Sequence, residues 1–225
     1  MKLRKLTKAD YLLIATNLIP VYGVFFLGWN PVEAFIVYAL ETLIIGVITN
    51  LKLLVATIYK GHDTWYNGEH VQEVSGFFFM LFFTIHFGLF AAIQTTIFSN
   101  VAEIIPPGKG MMYFFFHFYE YINQEIGFML AAFVVSYLAE SFVPFMVRGE
   151  YKTIPMIRLM FQPYGRIFVQ QVTVIAGSMF LVSGWGKGFI LVFALVKIIF
   201  SVLFNYGALL EKAMADMKSQ GKTQV

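Results

Sequence analysis

Six stretches of this chain are apolar over lengths near the ~20 residues that a helix needs to cross a hydrocarbon core. They run roughly Tyr11–Leu27, Val32–Ile58, Ser75–Phe98, Ile126–Val147, Ile167–Val182 and Gly188–Leu210, the fifth being the shortest. The expected fold class is therefore all-α: an integral membrane six-helix bundle forming one transmembrane domain over residues 1–225. Composition agrees. Only 13% of the 225 residues are charged, against about a quarter in soluble domains. The 26 Phe, 12 Tyr and 3 Trp suit a lipid-facing surface with aromatic belts. Cysteine is absent, which excludes disulfides, thiolate nucleophiles and Cys-ligated metals. The first span follows Lys2, Arg4, Lys5 and Lys8 like a signal peptide, but it lacks a small-residue cleavage site and is expected to be retained.

Orientation follows from the basic residues. With the N-terminus inside, thirteen of the 16 Lys and Arg fall in inner segments, Lys109 and Lys187 fall outside, and Lys197 lies within the sixth span. Both termini are thus expected on the cytoplasmic side of a bacterial inner membrane. The same bias explains the net charge of +3 without a nucleic-acid partner. The expected partners are the lipid bilayer and either other membrane subunits or a second copy.

The connections differ in character. Gly28-Trp29-Asn30-Pro31 is a tight hairpin, and Pro20 should kink the first span. Tyr59–Val74 is a short polar inner loop. The aromatic stretch from Met111 to Tyr121 is expected at the outer interface, as an interfacial helix before the fourth span. Arg148–Arg166 mixes cations with Ile157, Met160 and Phe161, a pattern suited to lipid headgroups. The halves show no repeat.

Glu41, His86 and Lys197 each sit near the middle of an apolar run. At 1.5 Å per residue, Glu41 lies ~14 Å from the outer end of its span, His86 ~17 Å from the inner end of its own, and Lys197 ~14 Å from the outer end of the sixth. A charge at that depth costs ~2.5–3.5 kcal/mol on insertion scales, so it rarely faces lipid. Each heads a polar stripe at helical spacing: Tyr38, Glu41, Thr42, Thr49 and Lys52; His86 and Gln94; Lys197, Ser201 and Asn205. Converging stripes would make a proton relay or substrate site, with Glu41 accepting a proton or cation, His86 switching and Lys197 supplying counter-charge. The competing interpretation is a buried ion pair that fixes helix packing. Glu140 is expected to pair with Arg148 or Arg166. His70 with Glu73, and His117 with Glu120, place an imidazole and a carboxylate three residues apart, a two-ligand start for a metal site. The sequence leaves any cofactor open, and it has no P-loop, dinucleotide fingerprint or His-Glu-x-x-His.

Tyr38-Ala39-Leu40-Glu41-Thr42-Leu43-Ile44-Ile45-Gly46 with Asn50 and Lys52, then His86-Phe87-Gly88, then Arg166-Ile167, resemble a family of bacterial multi-pass membrane proteins that carries a domain-of-unknown-function label. The resemblance puts Glu41, Asn50, Lys52, His86 and Lys197 on the family's polar positions. It departs at Gln171, where the family pattern has a histidine, and at Ser201, where it has an acid. Three function classes remain: a small transporter or channel-like protein built on the Glu41, His86 and Lys197 centre, an accessory subunit of a larger membrane complex, or a membrane-embedded enzyme.

Overall fold

The computed structural model describes residues 8–67, 70–101, 104–110, 113–165, 167–169, 171–172, 179–180, 183–203 and 210–216. Helix α1 (Lys8–Phe26) contains Pro20 and ends where Gly28 takes a left-handed conformation at φ 74°. The Gly23 carbonyl accepts hydrogen bonds from the backbone N–H groups of Leu27 and Trp29 (3.0 Å each), and the Trp29 ring folds against Gly23. A Cβ on Gly23 would lie 1.8 Å from that ring, so the turn needs glycine there. Asn30 Oδ1 accepts from the Val32 N–H (2.9 Å), capping α2 (Pro31–Lys60) ahead of a proline that has no N–H to satisfy.

The expected polar loop after α2 is instead a hairpin, β1 (His62–Asn67) and β2 (His70–Ser75), in register from His62 opposite Ser75 to Asn67 opposite His70. This two-stranded sheet departs from an all-helical chain. Its cause is legible: Thr64, Trp65 and Tyr66 favour strand. Trp65 anchors the hairpin on α3 (Gly76–Val101), its ring 5.2–5.7 Å from those of Phe78, Phe79 and Phe82. Asp63 extends the anchor. Its carboxylate accepts from Lys60 Nζ (3.0 Å) and from the Met156 N–H (2.8 Å) at the start of a short helix beyond the fourth span.

The aromatic stretch forms α4 (Tyr113–His117) and a 3-10 turn over Phe118–Tyr121. Helix α5 (Gln124–Tyr137) widens into a π turn over Leu138–Phe142 before α6 (Val143–Val147). Pro144 explains the widening, since its ring would collide with the Glu140 carbonyl of a regular helix and it brings no N–H to that carbonyl. The short helix capped by Asp63 is α7 (Met156–Phe161), and the last long helix is α8 (Gly186–Leu203). Residues 167–182, the fifth expected span, fall largely outside the described residues.

Among the described residues, three helical stretches are long and apolar enough to cross a membrane: Pro31–Lys60, Gly76–Ile97 and Gln124–Val147. Ile14–Phe26 and Ile190–Phe200 are shorter apolar helices. The exposed faces of the long helices are greasy. Val47, Leu51, Leu54 and Ile58 line one side of α2, and Leu81, Ile85, Leu89 and Ile93 recur every fourth residue on α3. The buried face of α2 carries Glu41, Thr42, Thr49 and Lys52. Apolar outside and polar inside is the pattern lipid selects.

By internal contacts the chain divides into two compact units: Met1–Ile44, Leu89–Tyr137 and Arg166–Phe204, then Ile45–Gly88, Leu138–Gly165 and Asn205–Val225. In the first, α1 packs on α5 and α8, and the Tyr38 ring stacks on Phe193 (4.1 Å) with its edge toward Phe133 (6.1 Å). In the second, Phe79, Phe83, Phe145, Met156 and Met160 are buried.

Candidate functional site

Glu41 is fully buried in the first unit. Its Oε1 accepts a hydrogen bond from the phenol of Tyr137, the last residue of α5 before the π turn. One turn earlier on α2, the Tyr38 phenol donates to the Asn17 carbonyl (3.3 Å) near Pro20. The Thr42 hydroxyl donates back to the Tyr38 carbonyl (3.4 Å). Ser136, next to Tyr137 in sequence, is buried as well.

Gln94 belongs to the same unit and is 1% exposed. Neither its Nε2 nor its Oε1 has a hydrogen-bond partner among the described residues. Leaving one such group unsatisfied costs about 1–3 kcal/mol. Of the remaining expected residues, Lys197 lies in α8 but its side chain is outside the described residues, as is all of Asn205. How Glu41 and Lys197 are disposed is therefore not described.

The second unit holds the other candidates. His86 Nδ1 shares a hydrogen bond with the Tyr164 phenol (2.6 Å), and its ring stacks on Phe82 (5.4 Å). Phe83, Phe87 and Phe161 surround Tyr164 with ring contacts, so the pair sits in an aromatic setting. Asn50 Oδ1 accepts from the Thr84 hydroxyl (3.2 Å) across α2 and α3. Lys52, 5% exposed, donates to Ser141 Oγ in the π turn (2.6 Å) and lies 5.3 Å from the centre of the Phe145 ring. Such a buried ammonium is tolerable only with donors engaged and an aromatic face nearby.

The two-ligand pairs resolve differently. His117 Nδ1–H donates to the Tyr113 carbonyl (3.0 Å), and the Glu120 carboxylate accepts from the Tyr113 phenol (3.1 Å). Partial burial, then that hydrogen bond and the Glu120 charge, hold the Tyr113 phenol above its usual range. Glu73 is exposed on β2, and the His70 side chain is outside the described residues. Among the described residues no three His, Asp or Glu side chains are grouped to hold a metal ion. Arg148 pairs with Glu150 (3.6 Å) across the turn at Gly149. Arg166 is outside the described residues.

Tyr137, Tyr164 and Ser141 are the partners that sequence reasoning missed. The available signal was Pro144, which marks a distorted turn in the fourth span and so draws attention to Tyr137 and Ser141. Nothing in the local sequence singles out Tyr164.

The chain belongs to a family of unknown function, DUF6498, whose model matches residues 1–220. No curated protein and no solved structure matches it.

Proposed function

We propose that this chain, a member of the DUF6498 family of unknown function, is a small multi-pass membrane transporter or channel-like protein that exchanges protons at Glu41. One observation carries the reading: a fully buried carboxyl on a helix of membrane-spanning length, bonded to a phenol rather than to lipid. A Glu–Tyr pair keeps its hydrogen bond in both protonation states. The phenol donates to a carboxylate, and it can rotate to accept from a carboxylic acid. Loading and unloading a proton then leaves no orphaned group in a dry setting.

His86 is built on the same principle. An imidazole that accepts from Tyr164 when neutral can donate Nδ1–H to the phenol oxygen when protonated. In this reading Lys197 provides counter-charge from the sixth of six spans, both termini are cytoplasmic, and the membrane is a bacterial inner membrane. The thirteen-to-two bias of basic residues supports that orientation.

Proteoliposomes loaded with a pH-sensitive dye test the reading. An imposed proton gradient should collapse faster with the wild-type protein than in protein-free vesicles, and Glu41→Gln should remove at least nine-tenths of the difference, about a tenfold loss. Equal rates for wild type, variant and empty vesicles would leave an accessory membrane subunit as the better description.

A further inference from the structure

The proton-exchange chemistry of Glu41 makes no use of the buried amide of Gln94. Gln94 is on the buried face of α3 with Ala91, Thr95 and Ser99, and the Ser99 hydroxyl is already committed to the Thr96 carbonyl (3.2 Å). Both polar atoms of Gln94 lack partners among the described residues. A leucine there would avoid the desolvation penalty entirely, so the amide calls for a specific complement.

The carboxamide dictates what that complement is. Nε2 presents two N–H donors and Oε1 two lone pairs. A bare cation would engage Oε1 and strand both donors. An anion would engage Nε2 and strand the lone pairs. A molecule that both donates and accepts satisfies the two ends together. We propose that Gln94 binds an uncharged donor–acceptor molecule inside the first unit: either a single water or a small neutral solute bearing a hydroxyl or carboxamide. This site is independent of proton exchange at Glu41.

Solid-state NMR on the unmodified protein in lipid tests it directly. Ile93-Gln94 is the one Ile-Gln pair in the sequence, so carbonyl-labelled Ile with 15N-labelled Gln assigns the residue without a variant. The Nε2 protons should show magnetisation transfer from bound water, and that signal should be lost in Gln94→Leu. Adding acetamide as a probe separates the two sources. A persistent water signal identifies a held water. Its replacement by contacts to acetamide protons identifies a neutral-solute site. Both outcomes support the proposal. Nε2 protons that contact aliphatic protein groups alone, with neither water nor acetamide, would overturn it. Because no flux is measured, a failed proton-exchange assay would leave this result standing.

Discussion

At the scale of single residues, the proposed proton exchange rests on hydroxyl groups paired with titratable side chains. Tyr137 gives Glu41 a donor, and Tyr164 shares a hydrogen bond with His86. Tyr137→Phe deletes the phenol that bonds Glu41 and should lower stability by about 1–3 kcal/mol. Thermal unfolding in a fixed detergent–lipid mixture reads this, and an unchanged midpoint would mean the bond contributes nothing. Glu41 and His86 were legible in the sequence because an ionisable residue inside an apolar run is conspicuous on cost alone. Their tyrosine partners were not. A tyrosine is common at membrane interfaces for its amphipathic ring, and only the fold distinguishes an interfacial phenol from one that reaches a buried carboxylate. Gln94 was legible as one point on a polar stripe, whereas its lack of a partner among the described residues is a fact of packing.

At the scale of elements, the hairpin and the π turn do the positioning. Asp63 joins β1 to α7 by accepting from Lys60 and from the Met156 N–H, and Lys60 also donates to the Ile154 carbonyl (2.5 Å). Asp63→Ala removes the cap and the ion pair together and should cost about 1–2 kcal/mol. Limited proteolysis at Lys152 and Arg158 should accelerate, and an unaltered cleavage pattern would show that α7 is held by its apolar side alone. Gly76 closes the junction between β2 and α3. A Cβ there would sit 2.4 Å from Thr57 Oγ1, so Gly76→Ala should destabilise by about 1–3 kcal/mol. A variant as stable as wild type would mean that Thr57 yields freely. The helices were readable from hydropathy because membrane-length runs leave few alternatives. The hairpin escaped because its six-residue strands are short and polar. The π turn follows from Pro144, a cue that locates a distortion without giving its form.

At the scale of the whole molecule, the three long apolar helices carry the membrane assignment, and topology is what remains to be tested on it. The absence of cysteine makes that test clean, since any introduced thiol is unique. With cytoplasmic termini, Lys109→Cys and Trp185→Cys should react with an impermeant maleimide added outside intact cells. Glu73→Cys and Lys212→Cys should react only after permeabilisation, and labelling of either from outside would contradict the orientation. The span count was less legible at the C-terminal end, where the fifth apolar stretch is the shortest and small residues thin its hydropathy. The proposed function, however, turns on one proton. Infrared difference spectroscopy of the protein in lipid, stepped across pH, observes it at its source. A protonated-carboxyl band should change with pH, shift in Tyr137→Phe and vanish in Glu41→Gln. A spectrum in which Glu41→Gln removes no pH-dependent carboxyl band would contradict it.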